Sequence, residues 1–246
     1  MTAVEQSRAK APAVFVLVHG AWHGGWCWRR VADLLTGRGH KVFTPTLTGV
    51  ADRSHLADPA IDLSTHVRDV ANLLKWEGLS NVVLCGHSYG GMVISSVAEV
   101  ASEGAIGSIV FLDAFVPANG RSLLSYTTEP GREGGPMVEE GEATGFVTPI
   151  PAAVFGVNDK DSAWVDAQCT PQSYRTFTEK PKLTGARERI ARKAFILATG
   201  YPALAFPVFA EKLKADPAWA YYEAHCGHDV MLDAPELLAD ILEECA

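Results

Sequence analysis

The sequence of 246 residues lacks the features that would place it in several large classes of protein. No stretch approaches the roughly 18 consecutive apolar residues that a transmembrane helix requires. No apolar segment near the start resembles the core of a signal peptide. Lysine and arginine together number 21 against 29 acidic residues, so the net charge is -8. This balance predicts neither a nucleic-acid partner nor an anionic membrane as partner.

Cysteine is scarce as well, with five residues spread widely along the chain. Their odd number and the lack of a C-x-x-C pair or a Cys/His spacing argue against a disulfide framework and a structural zinc site. We therefore expect reduced thiols, no metal, no cofactor and a cytoplasmic location. Phosphate-binding loops and the H-E-x-x-H motif are also missing, so neither phosphoryl transfer nor metal-assisted hydrolysis is indicated.

Short apolar runs alternate with helical patterns along most of the chain. The runs rich in β-branched or aromatic residues are predicted strands at 14–18, 41–44, 81–85, 108–113, 193–198 and 218–223. Apolar spacings of three and four predict helices at 28–36, 63–77, 92–102 and 235–244. This alternation predicts an α/β fold with a mostly parallel central sheet and helices on both faces.

The rhythm changes between residues 117 and 182, where Gly, Pro and Glu cluster and the periodicity is weak. An insertion after the C-terminal end of a strand lies above the crevice in which α/β sheets bind ligands. We therefore predict a cap at 117–182. The remainder divides into a flexible tail at 1–11 and a single core domain formed by residues 12–116 and 183–246, for which the chain is long enough.

The strongest motif is the run G-H-S-Y-G-G at positions 86–91, directly after a predicted strand and directly before a predicted helix. This is the context that a G-x-S-x-G nucleophile elbow requires. Small residues beside the serine allow a sharp turn that lifts its hydroxyl above the sheet edge. We therefore predict that Ser88 is a catalytic nucleophile.

A serine hydroxyl is a poor nucleophile near neutral pH and needs a base to take its proton. Among the eight histidines, His228 follows the last predicted strand, where a loop can reach back over Ser88. His87 adjoins Ser88 but is expected to point away from a substrate, and His19 is expected to brace the loop after the first strand. These placements favour His228 as the general base.

Acyl transfer also requires hydrogen-bond donors for the oxygen that becomes negative. The Tyr89 N–H is one expected donor because it opens a helix, where the helix dipole favours negative charge. The segment H-G-A-W-H-G-G-W at 19–26 should supply the second, and Ala21 N–H is the predicted donor.

Aromatic residues in the predicted cap indicate a largely apolar substrate group. They are Phe146, Phe155, Trp164, Tyr174 and Phe177. We predict Trp22 and Trp164 as substrate-binding residues.

Five segments occur in a characteristic order: H-G-A-W-H-G-G-W at 19–26, P-T-L-T-G at 45–49, the elbow at 86–91, F-L-D-A-F-V-P at 111–117 and G-H-D at 227–229. Together they resemble the α/β-hydrolase superfamily, in particular the esterase branch that contains plant methylesterases, hydroxynitrile lyases and their bacterial relatives. The resemblance covers nearly everything after the tail. It implies the α/β-hydrolase fold and cofactor-free acyl-transfer chemistry.

The chain departs from this family pattern at the third member of the catalytic triad. Plant relatives place an acid after the strand that corresponds to 194–198, yet T-G-Y-P at 199–202 contains no carboxylate. Asp113 closes the strand after the nucleophile strand, a position that some hydrolases of this superfamily use. The C-terminal edge of that strand faces the same crevice as Ser88. We therefore predict Asp113 as the triad acid.

Three other carboxylates compete with Asp113 for this role. Glu211 and Asp216 are expected to lie on a solvated helix, and Asp229 is expected to point off the loop that carries His228. A carboxylate is required because its loss in a serine-protease triad lowers the rate by a factor on the order of 10⁴.

The favoured reaction is hydrolysis of a small, largely apolar carboxylic ester through an acyl-enzyme, in a monomer or homodimer. Hydroxynitrile lyases of the resembling branch carry a lysine after the catalytic histidine and a threonine in the first loop. This chain has Asp229 and Gly20 there, which favours ester hydrolysis. Lactone or carbon–carbon bond hydrolysis and a hydroxynitrile-lyase-like activity stay open. A ligand receptor on the same fold is the non-enzymatic alternative, and the intact Ser88 and His228 argue against it.

Overall fold

The computed structural model describes residues 11–127, 135–201 and 206–246. Nearly all of the predicted tail at 1–11, and the part of the predicted cap at 128–134, lie outside these residues. In the described chain, six strands pair in parallel to form one sheet, in the order β2-β1-β3-β4-β7-β8. Its strands are β1 (Val14–Val18), β2 (Lys41–Phe43), β3 (Val82–His87), β4 (Ile106–Leu112), β7 (Arg192–Ala198) and β8 (Ala220–Ala224).

Two short antiparallel strands, β5 (Phe146–Val147) and β6 (Gln172–Ser173), form a separate small sheet. The described α-helices are α1 (Arg29–Gly37), α2 (Leu63–Trp76), α3 (Gly90–Val100), α4 (Leu124–Thr127), α5 (Pro136–Thr144), α6 (Asp159–Gln168), α7 (Arg175–Thr178), α8 (Ala186–Arg189), α9 (Phe206–Lys214), α10 (Val230–Asp233) and α11 (Pro235–Glu244). Short 3₁₀ helices occur at Gly25–Trp28, Ala51–Leu56 and Ala152–Phe155.

The parallel sheet and its flanking helices confirm the predicted α/β architecture. The strand β1 and the helix α11 have the predicted bounds. Two predicted boundaries at the nucleophile elbow were wrong, since β3 continues to His87 instead of ending at residue 85, and α3 begins at Gly90 instead of residue 92. Strand pairing explains the first difference, because Gly86 still pairs with Phe111 of β4 although glycine has little intrinsic preference for strands.

Burial is greatest at the centre of the sheet. All six residues of β3 are buried, as are the last four of β1, which is why these strands have almost no polar alternation. The strand β8 lies at one edge and its residues are mostly part-exposed. Helices α1 and α11 pack against each other, as do α2 and α3. No helix in the described ranges combines the length and apolar character needed to cross a membrane.

The chain between β4 and β7 carries α4 to α8 and the small sheet. Three hydrogen bonds at Trp22 attach this part to the core. The Trp22 main-chain N–H donates to Gln172 Oε1 at 2.8 Å, its Nε1–H donates to Val147 O at 3.0 Å, and Thr170 N–H donates to Trp22 O at 3.1 Å. The loop after β1 is therefore fixed to the segment in which the cap is predicted.

Candidate active site

Ser88 lies at the tight turn between β3 and α3. Its φ angle of +52° is in the left-handed region, which non-glycine residues adopt only when their surroundings enforce it. A Cβ at Gly86 would lie 2.6 Å from Gly90 O, so only glycine allows the strand and helix to approach this closely. Ser88 N–H donates to Leu112 O and Phe115 N–H donates to Ser88 O, at 3.2 and 3.1 Å. The last residue of β4 and the chain that follows it therefore hold the turn at Ser88 in place.

Asp113 follows β4 directly and so leaves the sheet at the same edge as Ser88. His228 Nδ1 donates a hydrogen bond of 2.6 Å to Asp113 Oδ2, and Ala198 N–H donates one of 3.1 Å to Asp113 Oδ1. Both Asp113 and His228 are buried. The structure therefore brings the predicted acid and the predicted base into direct contact.

The other two candidate acids on the surface are not brought to this place. Glu211 on α9 and Asp216 after it are both exposed. Asp113 is the carboxylate that contacts the imidazole of His228.

The environment of Asp113 acts on its charge in two opposing ways. Burial raises its pKa, because it disfavours the ionised form, and the hydrogen bond from His228 partly offsets this effect. Since His228 Nδ1 faces a carboxylate oxygen, Nδ1 is assigned the proton. This tautomer leaves Nε2 with a lone pair that can accept a proton.

Aromatic rings surround the His228 imidazole. Phe206 stacks on it with a centroid distance of 5.2 Å, Tyr201 lies at 4.9 Å and Phe155 at 5.3 Å. His228 N–H also donates to Phe155 O at 2.9 Å. The rings limit the access of water and lower the local dielectric, which strengthens electrostatic interactions in the site.

The loop after β1 passes directly beside Ser88. A Cβ at Gly20 would lie 2.9 Å from His87 Nδ1 and 3.1 Å from Ser88 Cβ, so glycine is favoured where this loop approaches the turn at Ser88. Within the described residues, neither the Ala21 N–H nor the Tyr89 N–H has a hydrogen-bond partner. Two unpaired amides beside a serine are the arrangement that an oxyanion hole requires.

His19 orients one of these amides. Its Nδ1–H donates to Gly20 O at 2.7 Å, and its Nε2 accepts from Leu47 N–H at 3.0 Å. Burial lowers the pKa of His19 to about 3, so the ring is neutral and can play both roles. Because C=O and N–H point in opposite directions across a trans peptide, holding Gly20 C=O also directs the Ala21 N–H. The expectation that His19 braces this loop agrees with these contacts.

A second buried histidine–carboxylate pair lies beside the first, and sequence reasoning missed it. Asp229 is expected to point off the loop that carries His228, and it reaches from that loop to the loop after β1. Its side chain is buried, and His23 Nε2–H donates to Asp229 Oδ2 at 3.0 Å. A buried carboxylate requires a compensating cation, and His23 comes from a loop 206 positions earlier in the chain, so no local pattern indicates the pair.

His23 and Asp229 each stabilise the charged form of the other. Burial by itself would raise the pKa of Asp229, but the positive charge of His23 outweighs it and holds the pKa far below the usual 3.8. Burial would likewise lower the pKa of His23, yet Asp229 raises it well above 6.5. The pair is therefore ionised at neutral pH.

The two predicted substrate-binding tryptophans lie in different places. Trp22 is buried between Phe155 and Phe177, with centroid distances of 6.2 and 5.8 Å. Trp164, on α6, packs edge-on against Trp26 at 4.9 Å and remains 40% exposed. Trp22 therefore shares Phe155 with the His228 ring cluster, whereas the ring contact of Trp164 is with Trp26. No group of His, Cys, Asp and Glu residues within 11–127, 135–201 and 206–246 is arranged to hold a metal ion.

Comparison with known proteins places these features in a family. The model of the alpha/beta hydrolase family matches residues 15–241. A carbendazim hydrolyzing esterase from Nocardioides sp. (strain SG-4G) is 42% identical over 239 residues, covering 94% of this chain and 98% of the relative. Methylesterase 1 from Arabidopsis thaliana is 37% identical over 122 residues, covering 45% of this chain and 43% of that protein.

A solved structure shows the same fold over almost the whole chain. It is that of an extracellular alpha/beta-hydrolase from a Paenibacillus species, with a TM-score of 0.80 and 22% identity, covering 96% of this chain and 99% of that one. The family match and the esterase relative, which aligns over nearly its full length, agree with the resemblance found in the motifs. The chain belongs to the alpha/beta hydrolase family and is an ester-cleaving hydrolase.

Proposed function

We propose that the chain is a serine esterase in which Ser88 is the nucleophile, His228 the general base and Asp113 the triad acid. The observation that carries this proposal is the 2.6 Å hydrogen bond from His228 Nδ1 to Asp113 Oδ2, together with the strained Ser88, at a φ angle of +52°, whose backbone bonds to Leu112 and Phe115 on either side of Asp113. A buried carboxylate that fixes the tautomer of an imidazole beside a strained serine is the arrangement of an acyl-transfer triad.

The reaction proceeds in two steps, acylation of Ser88 and hydrolysis of the acyl-enzyme. Ser88 Oγ attacks the ester carbonyl while His228 Nε2 takes the hydroxyl proton, and the Ala21 and Tyr89 amides bind the negative oxygen. His228 then protonates the leaving alcohol as the carbon–oxygen bond breaks, which leaves an acyl-Ser88. Water attacks this ester with His228 again as base, and release of the carboxylic acid restores the serine hydroxyl.

The proposed substrate is a small ester with a planar aromatic group. The rings of Phe155, Tyr201 and Phe206 around His228 support an aromatic partner, and the 42% identical relative is named for hydrolysis of carbendazim. Short acyl esters should be cleaved faster than long ones.

The proposal extends to the surroundings of the site. Residues 117–182 act as a cap over residues 12–116 and 183–246, with Trp22 and Trp164 bordering the substrate path. All proposed catalytic groups come from one chain, so a monomer or a homodimer suffices, and no cofactor is needed. Four cysteines, Cys27, Cys85, Cys169 and Cys226, form no disulfide, which supports a cytoplasmic location.

Replacement of Ser88 by alanine tests the proposal most directly. We expect kcat for carbendazim or a phenyl ester to fall by roughly 10⁶-fold, a loss typical of nucleophile removal in serine hydrolases. Product release is followed by chromatography, and a fluorophosphonate probe should label Ser88 in the wild type, as located by peptide mass. The matched control is Ser96→Ala on α3, whose hydroxyl bonds only to Met92 O among the described partners.

Retained turnover in Ser88→Ala, or a probe adduct on another residue, would contradict the proposal. A wild-type protein that is labelled at Ser88 yet leaves carbendazim intact while cleaving phenyl acetate would overturn the proposed substrate and leave the proposed catalytic groups in place.

A further inference from the structure

The His23–Asp229 pair connects two loops that carry proposed catalytic groups. His23 lies two positions after Ala21 in the loop that follows β1, and Asp229 lies one position after His228 in the loop that follows β8. The side chains of both are buried, and their hydrogen bond of 3.0 Å crosses from one loop to the other. The pair therefore joins the donor of the oxyanion hole to the base.

The His23 end of the pair is also tied to the main chain next to a proposed catalytic group. His23 Nδ1–H donates to Ala21 O at 2.7 Å, and Trp22 N–H on the far side of the same peptide donates to Gln172 Oε1 at 2.8 Å. This peptide plane is thus held at both ends. Movement of the His23 ring would rotate the peptide between Ala21 and Trp22 and would shift the neighbouring Ala21 N–H.

His87 provides a second connection to the same loop. Its Nε2–H donates to His228 O at 3.0 Å, while Asp229 Oδ1 lies 3.8 Å from the same nitrogen. Nε2 carries a proton because it faces a carbonyl oxygen, which can only accept a hydrogen bond. Burial and the nearby His228 lower the pKa of His87, so the ring is a neutral donor. The peptide after His228 is therefore enclosed by groups that face it from β3 and from the loop after β1.

The partners of His23 determine its charge. One ring nitrogen faces a carbonyl oxygen and the other faces a carboxylate oxygen, and both of these atoms can only accept hydrogen bonds. The ring must carry two protons to satisfy both. Removing two charges from water is costly, and breaking a buried pair is costlier still, because one charge is left uncompensated.

We propose that His23 and Asp229 are positioning residues of the esterase reaction: their ion pair holds the Ala21 amide and the His228 ring in one fixed relative geometry. This inference rests on the proposed function of Ser88, His228 and Ala21. The pair does not exchange protons with the substrate and touches none of the reacting atoms. Its effect is on the alignment of two groups that must act together in the transition state.

The double-mutant cycle Asp229→Asn, His23→Gln and the combined variant tests the proposal. We expect kcat to fall by about 10- to 100-fold in each single variant with KM within about threefold, since misplacement by about 1 Å can cost a factor of this size. The combined variant should be no slower than the slower single variant, because residues that act as a unit are not additive.

Folding losses are separated from positioning by counting active sites. Each kcat is expressed per site labelled to completion by a fluorophosphonate, so that unfolded protein does not contribute, and thermal melting is recorded for every variant. A trifluoromethyl ketone that adds to Ser88 gives a second readout, because its affinity depends on the oxyanion donors. Its affinity should weaken in parallel with kcat/KM, whereas affinity for the uncharged product alcohol should not change.

A third histidine–carboxylate pair, His40 and Glu243, serves as the matched control. His40 Nε2 contacts Glu243 Oε1 at 2.7 Å, and this pair joins the start of β2 to α11, away from the proposed catalytic groups. The substitution Glu243→Gln removes a carboxylate in the same way as Asp229→Asn. It should lower the melting temperature without changing kcat per labelled site.

Several results would overturn the proposal. Single variants with unchanged kcat per labelled site would assign the pair a purely structural role, and losses that multiply in the combined variant would show that His23 and Asp229 act separately. A wild-type protein without a Ser88 adduct would overturn the proposed function itself. An active and labelled wild type with unaffected variants would overturn only the positioning role.

Discussion

Two buried aspartates lie close to His228, one in contact with its ring and one next to it in the chain, and their environments shift their pKa values in opposite directions. Asp113 follows β4 and accepts hydrogen bonds from His228 and from one backbone amide. Its pKa is raised because burial prevails over these contacts. Asp229 follows His228 in the chain and contacts His23, and its pKa is lowered because the charge of His23 prevails over burial.

The difference teaches that burial alone does not determine whether a carboxylate is stabilised as an ion. Asp113 faces an imidazole that must alternate between neutral and protonated forms if the proposed reaction is correct, so it lacks a permanent counter-charge. Asp229 faces a histidine that its hydrogen-bond partners keep protonated. The first carboxylate is held in a state that is unfavourable for folding but useful in catalysis, and the second contributes to holding the loops together.

The largest effect expected from replacing either aspartate is the loss of activity in Asp113→Asn. We expect kcat to fall by about 10⁴-fold, because an amide in place of the carboxylate favours the wrong tautomer of His228 and cannot stabilise the imidazolium. The measurement is steady-state hydrolysis of a phenyl ester per labelled active site. An Asp113→Asn protein with near-native turnover would refute the assignment, especially if Asp216→Asn or Glu211→Gln lost activity instead.

The same substitution should change folding stability little. The folded state binds the Asp113 proton more tightly than the unfolded state does, so ionisation of this group lowers stability as the pH rises through the raised pKa. An asparagine removes that cost, and its amide oxygen can accept from Ala198 N–H while its amide nitrogen donates to His228 Nδ1. Urea denaturation at neutral pH should therefore give a free energy of unfolding close to that of the wild type.

Asp229→Asn should behave in the opposite manner, with a large loss of stability. We expect the free energy of unfolding to fall by about 3 kcal/mol at neutral pH, because removal of one partner leaves a buried cation without its counter-charge. The combined His23→Gln and Asp229→Asn protein should lose less than Asp229→Asn alone, since no unpaired charge then remains. Equal losses in the Asp113 and Asp229 variants would remove the contrast between the two aspartates.

The pH dependence of stability sharpens the comparison. His23 has a raised pKa, so its stabilisation is fully present below the unfolded value of 6.5 and is lost as the pH rises through the folded pKa. Asp229 has a lowered pKa, so its stabilisation is present above the unfolded value of 3.8 and is lost as the pH falls. The stability difference between the wild type and His23→Gln should therefore narrow as the pH is raised from 6.5. Urea titrations across the alkaline range that show a constant or growing difference would contradict this sign.

The nearness of Asp113 to Ser88 could be predicted from the sequence because it follows from regular structure. Parallel strands end at the same edge of a sheet, so a residue directly after β4 must lie near a residue directly after β3. The tight turn at Ser88 could likewise be predicted, because a predicted strand precedes it and a predicted helix follows it. The exact ends of β3 and α3 could not be predicted, because glycine interrupts the local pattern while the pairing with β4 continues through it.

The His23–Asp229 pair could not be predicted in this way. Its partners belong to two irregular loops, and no periodic pattern relates the positions of such loops. A carboxylate in an isolated sequence is most often solvated, so nothing in the sequence indicates that Asp229 is buried. Its burial depends on a cation supplied by tertiary packing, and that information lies in the relative placement of the loops after β1 and β8.

The smallest expected effect concerns an ion pair at the surface. Arg30 donates two hydrogen bonds of 2.7 Å to Asp161 of α6. Hydrogen bonding to Arg30 is the largest cause that lowers the pKa of Asp161 to about 2. The Arg30 side chain is 44% exposed, so solvent screens the attraction. We expect Asp161→Asn to cost about 0.2–1 kcal/mol, far less than Asp229→Asn.

Salt separates the two pairs further. The cost of Asp161→Asn should shrink as sodium chloride is raised, because exposed charges are screened once the Debye length falls to about 3 Å at 1 M salt. The cost of Asp229→Asn should persist, because ions cannot enter the space between His23 and Asp229, whose side chains are buried. If both costs declined equally with salt, water and ions would have access to the Asp229 carboxylate, and the two loops could not be joined by a dry ion pair.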